Sequence, residues 1–141
     1  MLWNVTSEFE VFASFTHFNG ELLSPVNNIG SPGQDIPRSP ETAGQITLKY
    51  RFARESSLKG LRMGLTGTYK SSAPIKPNYS RPTIVSDAHF ILNGFIRYRL
   101  PTKLNTEVFI NANNILNEKY ILPNNNYGAL AAVNVGMQVR F

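Results

Sequence analysis

The chain has 141 residues, enough for one domain, and an apolar share of 42%, near the globular norm. No run approaches roughly 18 uninterrupted apolar residues, which excludes a transmembrane helix but not a membrane β-barrel, whose apolar residues alternate. There is no cysteine, so disulfide frameworks and cysteine metal sites are excluded, while a net charge of +5 directs attention to nucleic acid or anionic surfaces.

Six strand-like segments follow in chain order. Over residues 8–18, Phe9, Val11, Ala13 and Phe15 share one face, and Glu8, Glu10, Ser14 and Thr16 share the other; Phe12 is an exception. Over 44–52, Ile46, Leu48, Tyr50 and Phe52 oppose Gln45, Thr47, Lys49 and Arg51. Over 60–70, Leu61, Met63, Leu65 and Tyr69 oppose Arg62, Thr66, Thr68 and Lys70. Over 89–100, Phe90, Leu92, Ile96, Tyr98 and Leu100 oppose Asn93, Arg97 and Arg99, with Ile91 and Phe95 out of pattern. Over 104–113, Leu104, Val108, Ile110 and Ala112 oppose Asn105, Glu107, Asn111 and Asn113. Over 132–141, Val133, Val135, Met137, Val139 and Phe141 oppose Asn134, Gly136, Gln138 and Arg140. Period-two alternation rich in Val, Ile, Tyr, Phe and Thr argues strand rather than helix. Lengths of about nine to eleven residues match a tilted membrane-crossing strand.

The connections alternate. Long ones, over 19–42, 71–88 and 115–131, are rich in Pro, Gly, Asn and Ser; short ones cover 53–59 and 101–103. Outer-membrane barrels have short periplasmic turns and long extracellular loops. The same assignment puts Phe9, Tyr50, Phe52, Tyr98 and Phe141 at one lipid interface and Phe15, Tyr69 and Phe90 at the other. Val11, Leu48, Leu65 and Ile110 fall between them. The expected fold is therefore all-β: an antiparallel transmembrane β-barrel segment of about six strands, a partial barrel. Six strands fall short of the smallest bacterial barrels, which have about eight. Met1-Leu2-Trp3-Asn4 has no charged region followed by an apolar one, so no signal peptide is expected there. That leaves a cytoplasmic protein or a piece of a longer chain.

The run Asn113, Asn114, Ile115, Leu116, Asn117, Glu118, Lys119, Tyr120 resembles the "NNLFD-x-x-Y" element of TonB-dependent outer-membrane receptors, siderophore receptors among them. The spacing from Asn114 to Tyr120 matches, and the final strand ends on Phe141 as it does there. Ile36-Pro37-Arg38-Ser39-Pro40 before a strand ending Tyr50-Arg51-Phe52, and Leu58-Lys59-Gly60-Leu61, also resemble family usage. Leu116 stands where Phe is usual and Asn117 where Asp is usual. Gly128-Ala129-Leu130-Ala131 stands in place of the family's Gly-x-Pro-Arg.

The resemblance implies the C-terminal portion of a barrel of about 22 strands, with the N-terminal plug domain absent from residues 1–141. It also implies uptake of ferric siderophores or a similar large nutrient by the full receptor, and no transport by this portion alone. The implied partners are outer-membrane lipid, the rest of the barrel and plug, the TonB complex through the missing N-terminal part, and the outer-membrane assembly machinery, which reads the terminal aromatic Phe141. No enzyme activity, cofactor, metal or nucleic-acid partner is expected on this reading.

Lys49, Arg51, Arg62, Arg97, Arg99 and Arg140 all fall on the polar parity near the short-turn end. They form a candidate lumenal basic belt able to pair with plug carboxylates, with Glu8, Glu10 and Glu107 as local partners; plain solvation of the lumen explains them equally well. His17 and His89 have opposite parity, so they do not converge on a metal. Tyr79 and Arg81, in the second long loop, are candidates for ligand contact, against the simpler reading of an ordinary polar loop. Residues 60–67 are glycine-rich but lack the Gly-Lys-Ser/Thr of a phosphate loop. The competing readings are a small soluble basic β-barrel that binds a ligand or nucleic acid, and part of another envelope pore.

Overall fold

The computed structural model describes residues 2–4, 6–24, 32–33, 35–76, 84–102, 104–122 and 126–140. They form an all-β chain of nine strands: β1 (Leu2–Asn4), β2 (Phe9–His17), β3 (Thr42–Arg51), β4 (Leu61–Lys70), β5 (Ala73–Lys76), β6 (Ile84–Ser86), β7 (His89–Arg99), β8 (Asn105–Asn113) and β9 (Ala132–Arg140). One antiparallel sheet runs β1-β2-β3-β4-β7-β8-β9, and β5 and β6 pair separately. The six long strands are those expected from the alternation, with ends displaced by one or two residues. The sheet is open: β1 and β9 are its edges, as in a segment of a barrel.

Register explains why each strand keeps its neighbour. Val11 lies opposite Leu48, Leu48 opposite Leu65, Leu65 opposite Gly94, Gly94 opposite Ala112 and Ala112 opposite Val133. A slip of one residue anywhere would rotate apolar side chains onto the polar face. The aromatic residues also fall in register. Phe15 and Tyr69 both flank Gly44, and Tyr69 lies opposite Phe90, so one aromatic row crosses four strands near the long-loop end. Phe9 lies opposite Tyr50, and Tyr50 meets Phe52 edge-on, with centroids 5.0 Å apart, near the other end.

The apolar face has no cover among the described residues. Phe15 is 74% exposed and Val135 75%, and Ile46, Leu65, Ile96, Ile110 and Met137 are exposed too. Among the described residues the buried apolar side chains are Ala73 and Ile75, both on β5, in the long-loop layer rather than between sheets. Water-soluble domains place such residues inside, so this sheet has its apolar surface turned outward.

The short connections share one end. The turn over 52–60 closes at Gly60, whose φ is +91° and whose missing Cβ would stand 2.8 Å from the Arg99 carbonyl oxygen. Only glycine suits that backbone and that approach. Arg99 N–H donates to the Gly60 carbonyl there, tying the turn to β7.

Two features lie outside the alternation. β1 is three residues long, too short to display a period. β5 and β6 lie in the proline-rich second loop, and their register shifts between Pro74 and Lys76, because proline supplies no N–H to the ladder.

Candidate functional site

The polar face is zoned along its strands. Its middle is neutral: Thr47 and Thr66 hydroxyls meet at 3.0 Å, and Asn93, Asn111 and Asn134 continue the surface across β7, β8 and β9. Its short-turn end is basic. Arg51 lies directly opposite Arg62, and Arg62 directly opposite Arg97. The next row toward the turns sets Arg99 opposite Glu107 and Glu107 opposite Gln138, and the row beyond sets Asn105 opposite Arg140. Lys49 and Glu10 are paired one row toward the middle. The structure thus brings Lys49, Arg51, Arg62, Arg97, Arg99 and Arg140 to one end of one face.

Like charges directly opposite on neighbouring strands repel, so the row needs counter-charge. Glu107, mostly covered, supplies it at the centre: it pairs with Arg62, and its other oxygen lies 3.7 Å from Arg97. Lys49 Nζ lies 3.0 Å from Glu10. Arg51 reaches the Ser7 carbonyl at 3.5 Å. Hydrogen bonds from the Ser7 hydroxyl first, and Thr6 second, hold the neighbouring Glu8 carboxyl below its ordinary range, so it stays charged beside Arg51. Arg99 and Arg140 have no side-chain partner among the described residues.

Two aromatic residues also stand on this face: Phe95, which is out of pattern in the alternation, and Phe109 share the parity of the polar residues, and each lies against a glycine on the next strand. A Cβ at Gly64 would stand 2.5 Å from the Phe95 ring, and one at Gly136 would stand 2.4 Å from the Phe109 ring. The Arg97 guanidinium sits over both rings, 5.6 and 5.9 Å from their centroids. The available signal was a polar-parity glycine facing an out-of-pattern phenylalanine, which register alone brings together.

The Asn113–Tyr120 run is a tight, fully bonded turn at the end of β8. Asn114 is 2% exposed with φ +47°, and Asn117 has φ +51°. Asn114 N–H donates to Asn93 Oδ1 at 2.9 Å. Its Nδ2 donates to the carbonyls of Glu118, at 2.9 Å, and Ala129, at 2.8 Å. Its Oδ1 accepts from Glu118 N–H at 2.9 Å. Asn117 Oδ1 accepts from Ala131 N–H at 3.1 Å. Asparagine suits both needs, tolerance of a left-handed backbone and local side-chain bonding. Ile115 N–H donates to the Leu92 carbonyl, and the Ile115 and Leu116 side chains point out, exposed. The Tyr120 ring stacks on His89, with centroids 4.5 Å apart, and lies where a Cβ at Gly128 would be. Asn113, the last residue of β8, pairs with Ala132.

These bonds continue into the other loops. The Ser86 hydroxyl donates to the Ile121 carbonyl at 2.6 Å, and Arg38 N–H donates to the Pro74 carbonyl at 2.7 Å. The three long loops are therefore joined to each other at the end opposite the basic patch. His17 bonds Thr42 and His89 bonds the Asp87 carbonyl, so the two histidines have separate partners. Tyr79, Arg81 and Phe141 lie outside the described residues.

No protein-family model and no curated protein matches the chain. A solved structure is similar to it: FpvA of P. aeruginosa, in its iron complex with a heterologous pyoverdine. The superposition has a TM-score of 0.70 at 16% identity and covers 95% of this chain but 18% of that one. The chain thus shares its fold with about a fifth of FpvA's length.

Proposed function

We propose that the chain is the C-terminal portion of a TonB-dependent outer-membrane receptor barrel, whose complete form takes up ferric siderophores or a similarly large nutrient. One observation carries the reading: an uncovered apolar sheet face bounded at both ends by aromatic rows, backed by a polar face. A strand between lipid and an aqueous lumen needs that division. The family resemblance of the Asn114–Tyr120 element and the shared fold with part of FpvA agree with it.

On this reading the short turns are periplasmic and the joined long loops extracellular. The polar face lines the lumen, and its basic end lies beside the plug. Phe141 is the residue read at barrel assembly. Tyr79 and Arg81 belong to a loop that meets ligand. The open edges at β1 and β9 require further strands, because unpaired backbone groups are untenable in hydrocarbon. The portion alone therefore transports nothing; the remaining strands, the plug and the TonB complex complete the receptor.

Immunoblotting of fractionated cells, with an antibody to residues 115–131, tests this. The expected band is several times heavier than this chain, in the outer membrane, with mobility that shifts on heating. A band near the 15.8 kDa of this chain in the soluble fraction would overturn the proposal.

A further inference from the structure

The apolar face is not evenly filled. The row Leu48, Leu65, Gly94, Ala112 steps from large side chains on β3 and β4 to the smallest ones on β7 and β8. A groove of about 400 Å³ runs there, with Ile96 and Ile110 of the next row also in its lining. That volume lies within the range of about 300–1,000 Å³ usual for small-molecule sites. Ile115 closes the long-loop end: its Cδ1 stands 3.2 Å from where a Cβ on Gly94 would be, and Leu65 Cδ2 stands 3.1 Å from the same point. The groove therefore opens toward the short turns, past Tyr50 and Met63. The turn over 52–60 joins the two strands that carry those residues. In it Arg54, Leu58 and Lys59 are exposed, and neither cation has a carboxylate partner among the described residues. Glu55 is exposed in the same turn, which still keeps a net positive charge.

We infer that this groove holds one acyl chain of an anionic phospholipid, whose phosphate pairs with Arg54 and Lys59. The inference rests on the barrel reading, which turns this face to lipid and the short turns to the periplasm. Three features select that occupant. The side chains turned into the groove are apolar apart from the Tyr50 hydroxyl, since Lys49 sends its ammonium to Glu10 on the other face. A docked protein would need hydrogen-bonding groups there as well. Along β3 the Leu48 row lies four residues from Phe52, roughly 13 Å at about 3.3 Å per residue, close to half of a hydrocarbon core about 30 Å thick. A chain seated against Gly94 thus brings its headgroup to the turn, whereas a lipid entering from the long-loop end meets Ile115. Basic residues at headgroup level attract anionic lipids.

Native mass spectrometry tests this on the polypeptide carrying the segment, extracted from outer membranes in mild detergent. The probes are dioleoyl-phosphatidylglycerol and dioleoyl-phosphatidylcholine. Expected is retention of one phosphatidylglycerol, about tenfold above phosphatidylcholine, as for two basic residues near an anionic lipid. Arg54→Gln/Lys59→Gln should bring the two lipids to parity. Ala112→Phe, which fills the floor of the groove, should abolish retention of both. Millimolar inorganic phosphate should displace neither. Equal retention of both lipids by the wild type, indifference to either variant, displacement by phosphate, or a dimer in place of the lipid adduct would each overturn it. The turn variant alters no strand, so it decides alone if Ala112→Phe loses the heat-dependent mobility shift of a folded barrel. Absence of the polypeptide from the outer membrane, or of its mobility shift, defeats the barrel reading. A folded outer-membrane barrel without the lipid preference defeats this inference alone.

Discussion

At the scale of single residues, Asn114 carries the largest share of local order. Its backbone and side chain together make five hydrogen bonds within the turn and to β7, while its φ is left-handed. Asn114→Ala leaves Glu118 N–H and two carbonyls without partners and puts a less tolerant residue at positive φ. The expected cost is about 2–4 kcal/mol, from unsatisfied buried groups and backbone strain together. Urea unfolding in micelles measures it, and limited proteolysis should then cut within residues 115–131 first. Asn114→Asp keeps the acceptor for Glu118 N–H but loses both side-chain donors, so it should fall between wild type and Ala. An alanine variant as stable as wild type would show that the network contributes nothing.

At the scale of elements, each strand of the sheet has two faces with different solvents. Val135 and Asn134 are neighbours on β9, opposite Ile110 and Asn111. Val135→Arg puts a charge on the apolar face and should destabilise a complete barrel containing this segment by about 2–4 kcal/mol, the cost of arginine near a bilayer midplane. Asn134→Arg, on the polar face, should change stability by less than about 0.5 kcal/mol, as surface substitutions do. Guanidinium unfolding from phosphatidylcholine vesicles separates them. Equal effects would mean that the two faces see the same solvent.

At the scale of the whole molecule, the defining property is an open sheet with little interior. Among the described residues, β1 pairs with β2 alone and β9 with β8 alone, so each outer edge presents unpaired N–H and C=O groups. Such edges recruit further strands. The isolated chain in micelles should associate as its concentration rises, measured by sedimentation velocity. A monomer at every concentration would indicate that the edges are covered from within the chain.

The sequence by itself determined the six long strands, their facing and the position of the basic residues. All of these follow from period-two alternation and from the rule that a strand's successive side chains point to opposite sides. Arg62, Arg97 and Arg140 are assigned to one face by parity alone. The Asn114 run was legible as a motif, but its spacing does not disclose that Asn93, 21 residues earlier on β7, bonds Asn114 N–H. Parity likewise puts Phe95 and Phe109 on the polar face, but only register shows that Gly64 and Gly136 stand beside them. The division of the basic belt by Glu107 was likewise hidden, since which carboxylate meets which guanidinium depends on strand order. Those facts belong to pairing between segments distant in the chain, and pairing is decided when the strands assemble, because only then does one residue acquire neighbours on either side.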